Sequence, residues 1–284
     1  MLSILLLLAA CGNAREKEIP ADQAQEASAE ETKAPSTAET VEDMEYTLTG
    51  YDWKDDGSTE EYKRTGTYSG DVVDGVPNGV GSFTTVNSKG ITWVYTGEFL
   101  NGTFHGQGGT VWNAPEFFCS EKGTYTDGLY TPTKAEFYDM IERDRTNDNG
   151  RAIEPTAYAF LADHEQLFPC TSVTDREETE KYLRGEVSYS DLKGKLSQYT
   201  VGLVMIRGLT VTWADNDFWN GYDYTRCTAQ DINGDKFNIC HLGTTVLEEG
   251  DAINVVGLPV AESYFVNGGG ESISAIMIAA CYFE

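Results

Sequence analysis

Residues 68–81 read Tyr-Ser-Gly-Asp-Val-Val-Asp-Gly-Val-Pro-Asn-Gly-Val-Gly, and residues 95–108 read Tyr-Thr-Gly-Glu-Phe-Leu-Asn-Gly-Thr-Phe-His-Gly-Gln-Gly. Five positions match at one common offset: Tyr68 with Tyr95, Gly70 with Gly97, Gly75 with Gly102, Gly79 with Gly106 and Gly81 with Gly108. Self-similarity at a fixed spacing is the mark of a repeat architecture. Between Tyr46 and Tyr130 aromatics, threonines and glycines prevail and no helical period appears. Alternating runs such as Ile91-Thr92-Trp93-Val94-Tyr95 predict strands, and Asn101-Gly102 predicts a tight turn between strands.

The pattern resembles the MORN (membrane occupation and recognition nexus) repeat, Tyr-x-Gly-x-x-x-x-Gly followed by Gly-x-Gly. That resemblance implies one β-hairpin per repeat, with hairpins stacked into an elongated twisted sheet and aromatics stacked between repeats. Glu98-Phe99-Leu100-Asn101-Gly102 fits the repeat's aromatic-then-Asn-Gly segment, whereas the first copy carries Val72 in place of the aromatic. A decayed third copy is read at Gly123-Thr124-Tyr125-Thr126-Asp127-Gly128, and Asp56-Gly57 belongs to a degenerate leading one. Such repeats serve either as a ligand surface or as a spacer and dimerisation surface.

At the start of the chain, Leu2 to Ala10 is an unbroken apolar and small-residue run. A bilayer-spanning helix needs about twenty apolar residues, so this run has the size of a signal-peptide core instead. Leu8-Ala9-Ala10-Cys11 resembles the lipobox of bacterial lipoproteins, although no Lys or Arg precedes the apolar core. The resemblance implies a diacylglyceryl group on the Cys11 thiol, with cleavage leaving Cys11 first. It also implies an extracytoplasmic protein anchored to the bacterial cell membrane, with a Gram-positive surface expected. The alternative is an ordinary secretory signal with an incidental cysteine. Residues 12–45 are Ala, Glu, Gln, Thr, Ser and Lys with almost no large apolar side chain, which predicts a disordered acidic tether, with a transient helix in the Ala-Glu segment as the alternative. Random-coil scaling gives such a tether a reach of roughly 30 Å.

Charge narrows the partners. The 284 residues carry 20 basic and 46 acidic side chains, a net charge of −26. Such a surface repels nucleic-acid phosphates, so no nucleic acid is expected as a partner. Metal cations, polycations and neutral sugars stay open, and an acidic surface also serves solubility. An apolar content of 40% supports a packed core.

From Pro132 the composition changes to a helical connector, residues 132–185. Lys134 to Arg145 carries Phe137, Met140 and Ile141 at helical spacing and is stopped by Asn147-Asp148-Asn149-Gly150. Pro155 to Phe168 predicts a second helix, and Thr174 to Leu183 a third, opening at Thr174-Asp175 with Glu177. His164 stands between Asp163 and Glu165. Adjacent helical residues point apart and no His-Glu-x-x-His spacing occurs, so His164 is read as a surface or packing residue.

Residues 186–284 return to strand alternation at Val201–Trp213, Tyr222–Asp231, Lys236–His241, Ala252–Gly257 and Ile273–Phe283, with a short helix or turn at Leu242 to Leu247. This order resembles the OB fold, a five-stranded Greek-key barrel. Tyr189-x-Asp191-Leu192 with Tyr199 and Gly208, and Glu249-Gly250-Asp251-Ala252-Ile253-Asn254-Val255-Val256-Gly257, resemble OB-like domains of Gram-positive surface lipoproteins. Asn233-Gly234 reads as a two-residue hairpin turn. With that turn, Cys227 falls opposite Cys240 at a non-hydrogen-bonded pair, about 4.5 Å between Cα atoms, which a disulfide can span. The alternative is two free thiols; Cys119, Cys170 and Cys281 read as unpaired small apolar residues. Trp213, Phe218, Trp219, Tyr222 and Tyr224 crowd the expected loop between the first two strands, beside Asp215, Asn216, Asp217 and Asn220. OB folds commonly hold ligands there, and aromatic faces beside carboxylates and amides suit a neutral sugar. The alternative is a packed aromatic loop with no ligand. Asp215-x-Asp217 fails the EF-hand spacing, so no metal site is assigned.

The expected fold is therefore mainly β with a helical connector: after a signal segment (1–11) and a tether (12–45), a MORN-type hairpin sheet (46–131), the connector and a five-stranded OB-like barrel. No P-loop, nucleophile elbow or dinucleotide fingerprint occurs, and no cofactor is expected. The expected function is a lipid-anchored, non-enzymatic binding or adaptor protein contacting cell-wall glycan or an envelope protein through the barrel loop. A structural spacer or self-association module is the alternative, and a glycan hydrolase a third class.

Overall fold

The computed structural model describes residues 38–113, 120–146, 153–266 and 270–284. The apolar run 2–10, Cys11, residues 12–37 of the expected tether, Cys119 and the helix stop at 147–150 lie outside them. The protein is mainly β, with a few helices.

Seven strands follow in order: β1 (Ala38–Trp53), β2 (Thr59–Val73), β3 (Val76–Val86), β4 (Thr92–Leu100), β5 (Thr103–Asn113), β6 (Ser120–Thr126) and β7 (Leu129–Tyr130). Each pairs antiparallel with the next, and β7 returns to β1 through one parallel pair, Tyr51 with Leu129. The turns Asp74-Gly75, Asn101-Gly102 and Asp127-Gly128 all hold two successive positive φ values, the primed-turn geometry that suits twisted hairpins. β1 begins at Ala38, so the tether expected to run to Glu45 ends earlier. Its residues alternate along a strand, with Val41, Met44 and Tyr46 packing on the sheet's inner face while Glu39 and Glu45 stay in water. A polar outer face makes such a strand look like linker.

The repeat has an atomic basis. Tyr68 and Tyr95 are completely buried inside the sheet. Their hydroxyls donate to the carbonyls of Asp71 (2.6 Å) and Glu98 (2.9 Å), and the carboxylates of those same residues accept from Val80 N (3.2 Å) and Gln107 N (3.0 Å). Each tyrosine ring presses against the last glycine of its copy, Gly81 or Gly108. The glycine is there for close approach of a ring.

The connector contains α1 (Lys134–Thr146), α2 (Pro155–Asp163) and α3 (Val173–Glu180). α2 is shorter than expected: the backbone leaves the helix at His164 (φ −133°) and continues as a single 3-10 turn. α3 is capped two residues earlier than its sequence suggested, by a reciprocal Ser172–Asp175 box, and ends at Glu180 rather than Leu183. Glu136 on α1 is buried and fixes the helix to the first sheet, accepting from Thr124 N (3.1 Å) and Thr133 N (2.8 Å).

A short strand β8 (Leu183–Glu186) and one helical turn α4 (Tyr189–Leu192) lead into β9 (Leu203–Trp219), β10 (Tyr222–Gln230), β11 (Lys236–Leu242), β12 (Ala252–Val266) and β13 (Ser272–Phe283). The sheet order is β10-β11-β13-β12-β9-β8, and β9 also pairs with β10. Pairing therefore runs β9-β10-β11-β13-β12 and back to β9, with β11 and β13 parallel and the other four pairs antiparallel. Residues 242–247 form no helix. Tyr189, Leu192 and Leu196 close one core with Val204, Ile206, Phe237, Ile239 and Ile278. The opposite strand faces bury Cys240, Leu258, Met277 and Cys281 under α1 and α2. Burial on both faces explains the nearly continuous apolar run of β13.

Cys227 and Cys240 are not joined. The connection between β10 and β11 is not the two-residue turn. Asp231 Oδ1 accepts from Asn233 N (2.8 Å) and Asp235 N (3.0 Å), and Asp231 N donates to Asp235 O (3.0 Å). This lengthens the loop so that Gln230 faces Lys236 and Cys227 faces Ile239. A slip of one residue sends a side chain to the other sheet face. Cys227 consequently lies in the core under α4 and Cys240 in the core under α1 and α2.

Candidate functional site

The five aromatics expected to surround a ligand do not form a loop. β9 and β10 continue as a long hairpin closed by Asn220-Gly221, with φ of 48° and 90°. The hairpin tip reaches the first sheet. Phe218 packs edge-on to Trp53 (5.9 Å between ring centroids), and Trp219 lies 6.4 Å from Tyr130 and 5.7 Å from Phe137. Tyr222 lies tilted against Phe137 (5.1 Å), and its hydroxyl donates to Pro132 O (2.9 Å). Tyr224 is buried, 5.2 Å from Phe137, with its hydroxyl donating to Asp217 Oδ2 (3.1 Å). Burial pushes the Tyr224 phenol up, the nearby Arg226 charge opposing it. Trp213 alone stays open to solvent, with Arg226 beside its ring. Four of the five thus build the joint between the first sheet, the connector and the second sheet. His164 stacks on Phe160 (4.2 Å) and meets Tyr182 edge-on (4.5 Å), as a packing residue does.

Beside the joint lies a cavity that sequence reasoning missed. It measures about 370 Å³ and occupies the end of the first sheet's inner face that the repeat tyrosines do not fill. Side chains of a strand alternate between faces, so residues two apart share one face. Tyr62 and Arg64 share the inner face with Tyr68, Trp93 with Tyr95, and Thr110 and Trp112 with Gly108; Glu121 stands two residues before Gly123. Phe104, Tyr125 and Tyr130 also line the cavity, Trp53 and Asp52 stand at the end of β1, and Asn220 enters from the hairpin tip.

Its chemistry is mixed by design of the fold. The Arg64 guanidinium sits among three rings, 4.5 Å from the Tyr62 centroid, 4.4 Å from Trp93 and 5.4 Å from Trp112. Among the described residues it makes no hydrogen bond or ion pair, and neither does Asp52. Among the described residues Glu121 Oε2 accepts only from Thr110 Oγ1, at 3.4 Å. The buried Asn220 side-chain nitrogen has no hydrogen-bond partner among the described residues. Five N–H donors of one guanidinium, one amide and two carboxylates thus face the cavity with unused hydrogen-bonding capacity. A larger hollow of about 700 Å³, lined by Tyr189, Lys193 and Leu196 on one side and by Tyr264, Ser272 and Ile276 on the other, has among the described residues only Tyr189 and Tyr264 as rings.

Burial pushes the Glu121 carboxyl up, the Asp52 charge adds to this, and the Thr110 hydrogen bond and Arg64 oppose it. Asp52 is likewise raised, first by burial, with Arg64 lowering it and Glu60 raising it. A carboxyl raised on folding binds its proton more readily in the native state. Its charged form therefore weakens the fold above the raised value, and that cost disappears as pH falls toward the ordinary glutamate value of about 4.3. Glu121→Gln is accordingly expected to melt about 2–4 °C above the unmodified protein at pH 7, with the gap closing toward pH 4. Melting curves across that range check it; a variant that melts lower at pH 7 contradicts the reading.

Comparison with known protein families, with curated proteins and with solved structures gives no match, so the site is read from its own geometry.

Proposed function

We propose that this is a non-enzymatic glycan-binding module of the bacterial cell envelope, held at the membrane by a diacylglyceryl group on Cys11. The lipobox-like Leu8-Ala9-Ala10-Cys11 supports the address. Two copies of one tyrosine-over-glycine arrangement, each closed by a primed turn, support MORN-type hairpins for the first sheet. The pairing order β9-β10-β11-β13-β12, with its parallel β11–β13 pair, supports an OB-type barrel for the second. The ligand surface moves from the barrel hairpin to the inner face of the first sheet.

One observation carries the reading: Trp53, Tyr62, Trp93 and Trp112 surround an Arg64 guanidinium and two carboxylates whose hydrogen bonds are largely unspent. Pockets of this size with aromatic walls and a few convergent polar groups hold small ligands. A sugar ring offers apolar C–H faces to the rings and hydroxyls to the polar groups. Co-sedimentation of the chain from Gly12 onward with purified cell-wall sacculi tests it. Trp112→Ala is expected to lose about tenfold or more in affinity, and Trp213→Ala, outside the cavity, to bind as the parent does. Equal binding by both variants and the parent sinks the cavity as the glycan site.

A further inference from the structure

The cavity holds more negative than positive charge. Among its lining residues two carboxylates, Asp52 and Glu121, face a single cation, Arg64. That cation is held by ring faces and forms no ion pair within 4 Å with either acid. Burial raises both carboxyls even with Arg64 present, so one guanidinium does not compensate them. A second cation entering the cavity meets a half-buried carboxylate, Glu121, an exposed one, Asp52, and a wall of rings, each of which favours positive charge. A ligand phosphate or carboxylate meets the same two carboxylates and is repelled, against one attraction from Arg64. The overall charge of −26 draws cations toward the site and anions away.

We infer that the ligand of this cavity is an amino sugar with a free, protonated amine, its ammonium donating to Asp52 and Glu121 while its ring lies against the tryptophans and its hydroxyls meet Arg64 and Asn220. This rests on the glycan reading above and names the sugar class. N-acetylation removes the charge and adds bulk, so the acetylated sugar fits the site less well.

The test uses the full chain in mild detergent at pH 7, read by tryptophan fluorescence and calorimetry. Three probes are compared: the β-1,4 disaccharides of glucosamine, of N-acetylglucosamine and of glucose. The glucosamine disaccharide is expected to bind about tenfold or more tightly than the other two. In the Asp52→Asn/Glu121→Gln double variant that preference is expected to vanish while neutral-sugar binding persists. The variant removes only two of 46 acidic residues, so a preference arising from the general surface charge would survive in it. Survival of the preference overturns the inference. Equal binding of all three disaccharides, lost in Trp112→Ala, also overturns it and leaves the glycan reading standing. Binding of none removes both. Circular dichroism of the isosteric double variant checks that it is folded, and Glu121→Gln alone, expected to halve the preference or more, guards against its failing to fold.

Discussion

Gly108→Val is expected to lower the melting temperature by about 10 °C, roughly 4 kcal/mol for a chain of this size. Strand propensity argues the other way. Gly108 lies within β5 with an ordinary negative-side backbone, and valine is among the better strand residues whereas glycine is among the poorest. Packing decides the sign. A Cβ at Gly108 would stand 2.5 Å from Cζ and 2.6 Å from Cε2 of Tyr95, far inside van der Waals contact. The ring has nowhere to go. Tyr95 is fully buried, stacked 3.8 Å from Phe104, edge-on to Phe99 and Tyr125, and tied through its hydroxyl to Glu98 O. A double-mutant cycle with Tyr95→Ala separates this cause from a general strand effect. Removing the ring relieves the clash, so the double variant should be more stable than the two single costs predict, by about 1–3 kcal/mol. Additive costs, or a valine variant melting within 2 °C of the parent, roughly 1 kcal/mol, refute the ring-over-glycine account. Gly81 beneath Tyr68 should behave alike, since a Cβ there meets Tyr68 Cε2 at 2.5 Å.

That arrangement was legible as a pattern before its cause was known. Tyr68 and Gly81 are separated by thirteen residues, yet the recurrence at Tyr95 and Gly108 ties them into one unit, and the turns fall at Asp74-Gly75 and Asn101-Gly102 as their residues dictate. The β class, the connector helices and the second group of strands were legible on the same grounds of alternation and helical spacing. Register was not. Asn233-Gly234 is a strong two-residue turn signal, but Asp231 two positions earlier captures the backbone N–H groups of Asn233 and Asp235 and changes the loop's parity. One side-chain oxygen thus decides whether Cys240 faces one core or the other. The aromatic crowd from Trp213 to Tyr224 was visible, but its partners, Trp53, Tyr130 and Phe137, lie far away in sequence and only the docked fold supplies them. The cavity residues, Trp93 and Tyr125 among them, were not legible as one site for the same reason. A signal was nevertheless present, because Arg64, Trp93, Trp112 and Glu121 keep the parity of the inward repeat residues, and an arginine or glutamate on an inner face requires explanation.

Trp219→Ala should cost about 3–4 kcal/mol and, beyond that, split the unfolding of the protein into two transitions. The indole is only half-buried, yet it belongs to two cores at once, packing with Phe137 of the connector and with Tyr130 of the first sheet. With it in place, heating should produce one calorimetric peak, because loosening either sheet exposes the shared ring. Its removal leaves the Tyr222–Pro132 hydrogen bond, the Phe218–Trp53 contact and the Glu136 anchor, most of which act locally. Trp213→Ala, at an exposed position on the same strand, should shift melting by about 0.5 kcal/mol or less and keep a single peak. The consequence reaches the cavity, since Asn220 follows Trp219 directly and forms part of the wall. A loosened tip should weaken the proposed sugar binding without removing any ring or carboxylate of the first sheet, so Trp219→Ala should bind the sugar less tightly although Trp219 does not line the cavity. A variant with one peak and undiminished affinity would mean that the remaining contacts hold the hairpin tip in place by themselves, and the cavity would then owe its wall to the first sheet alone.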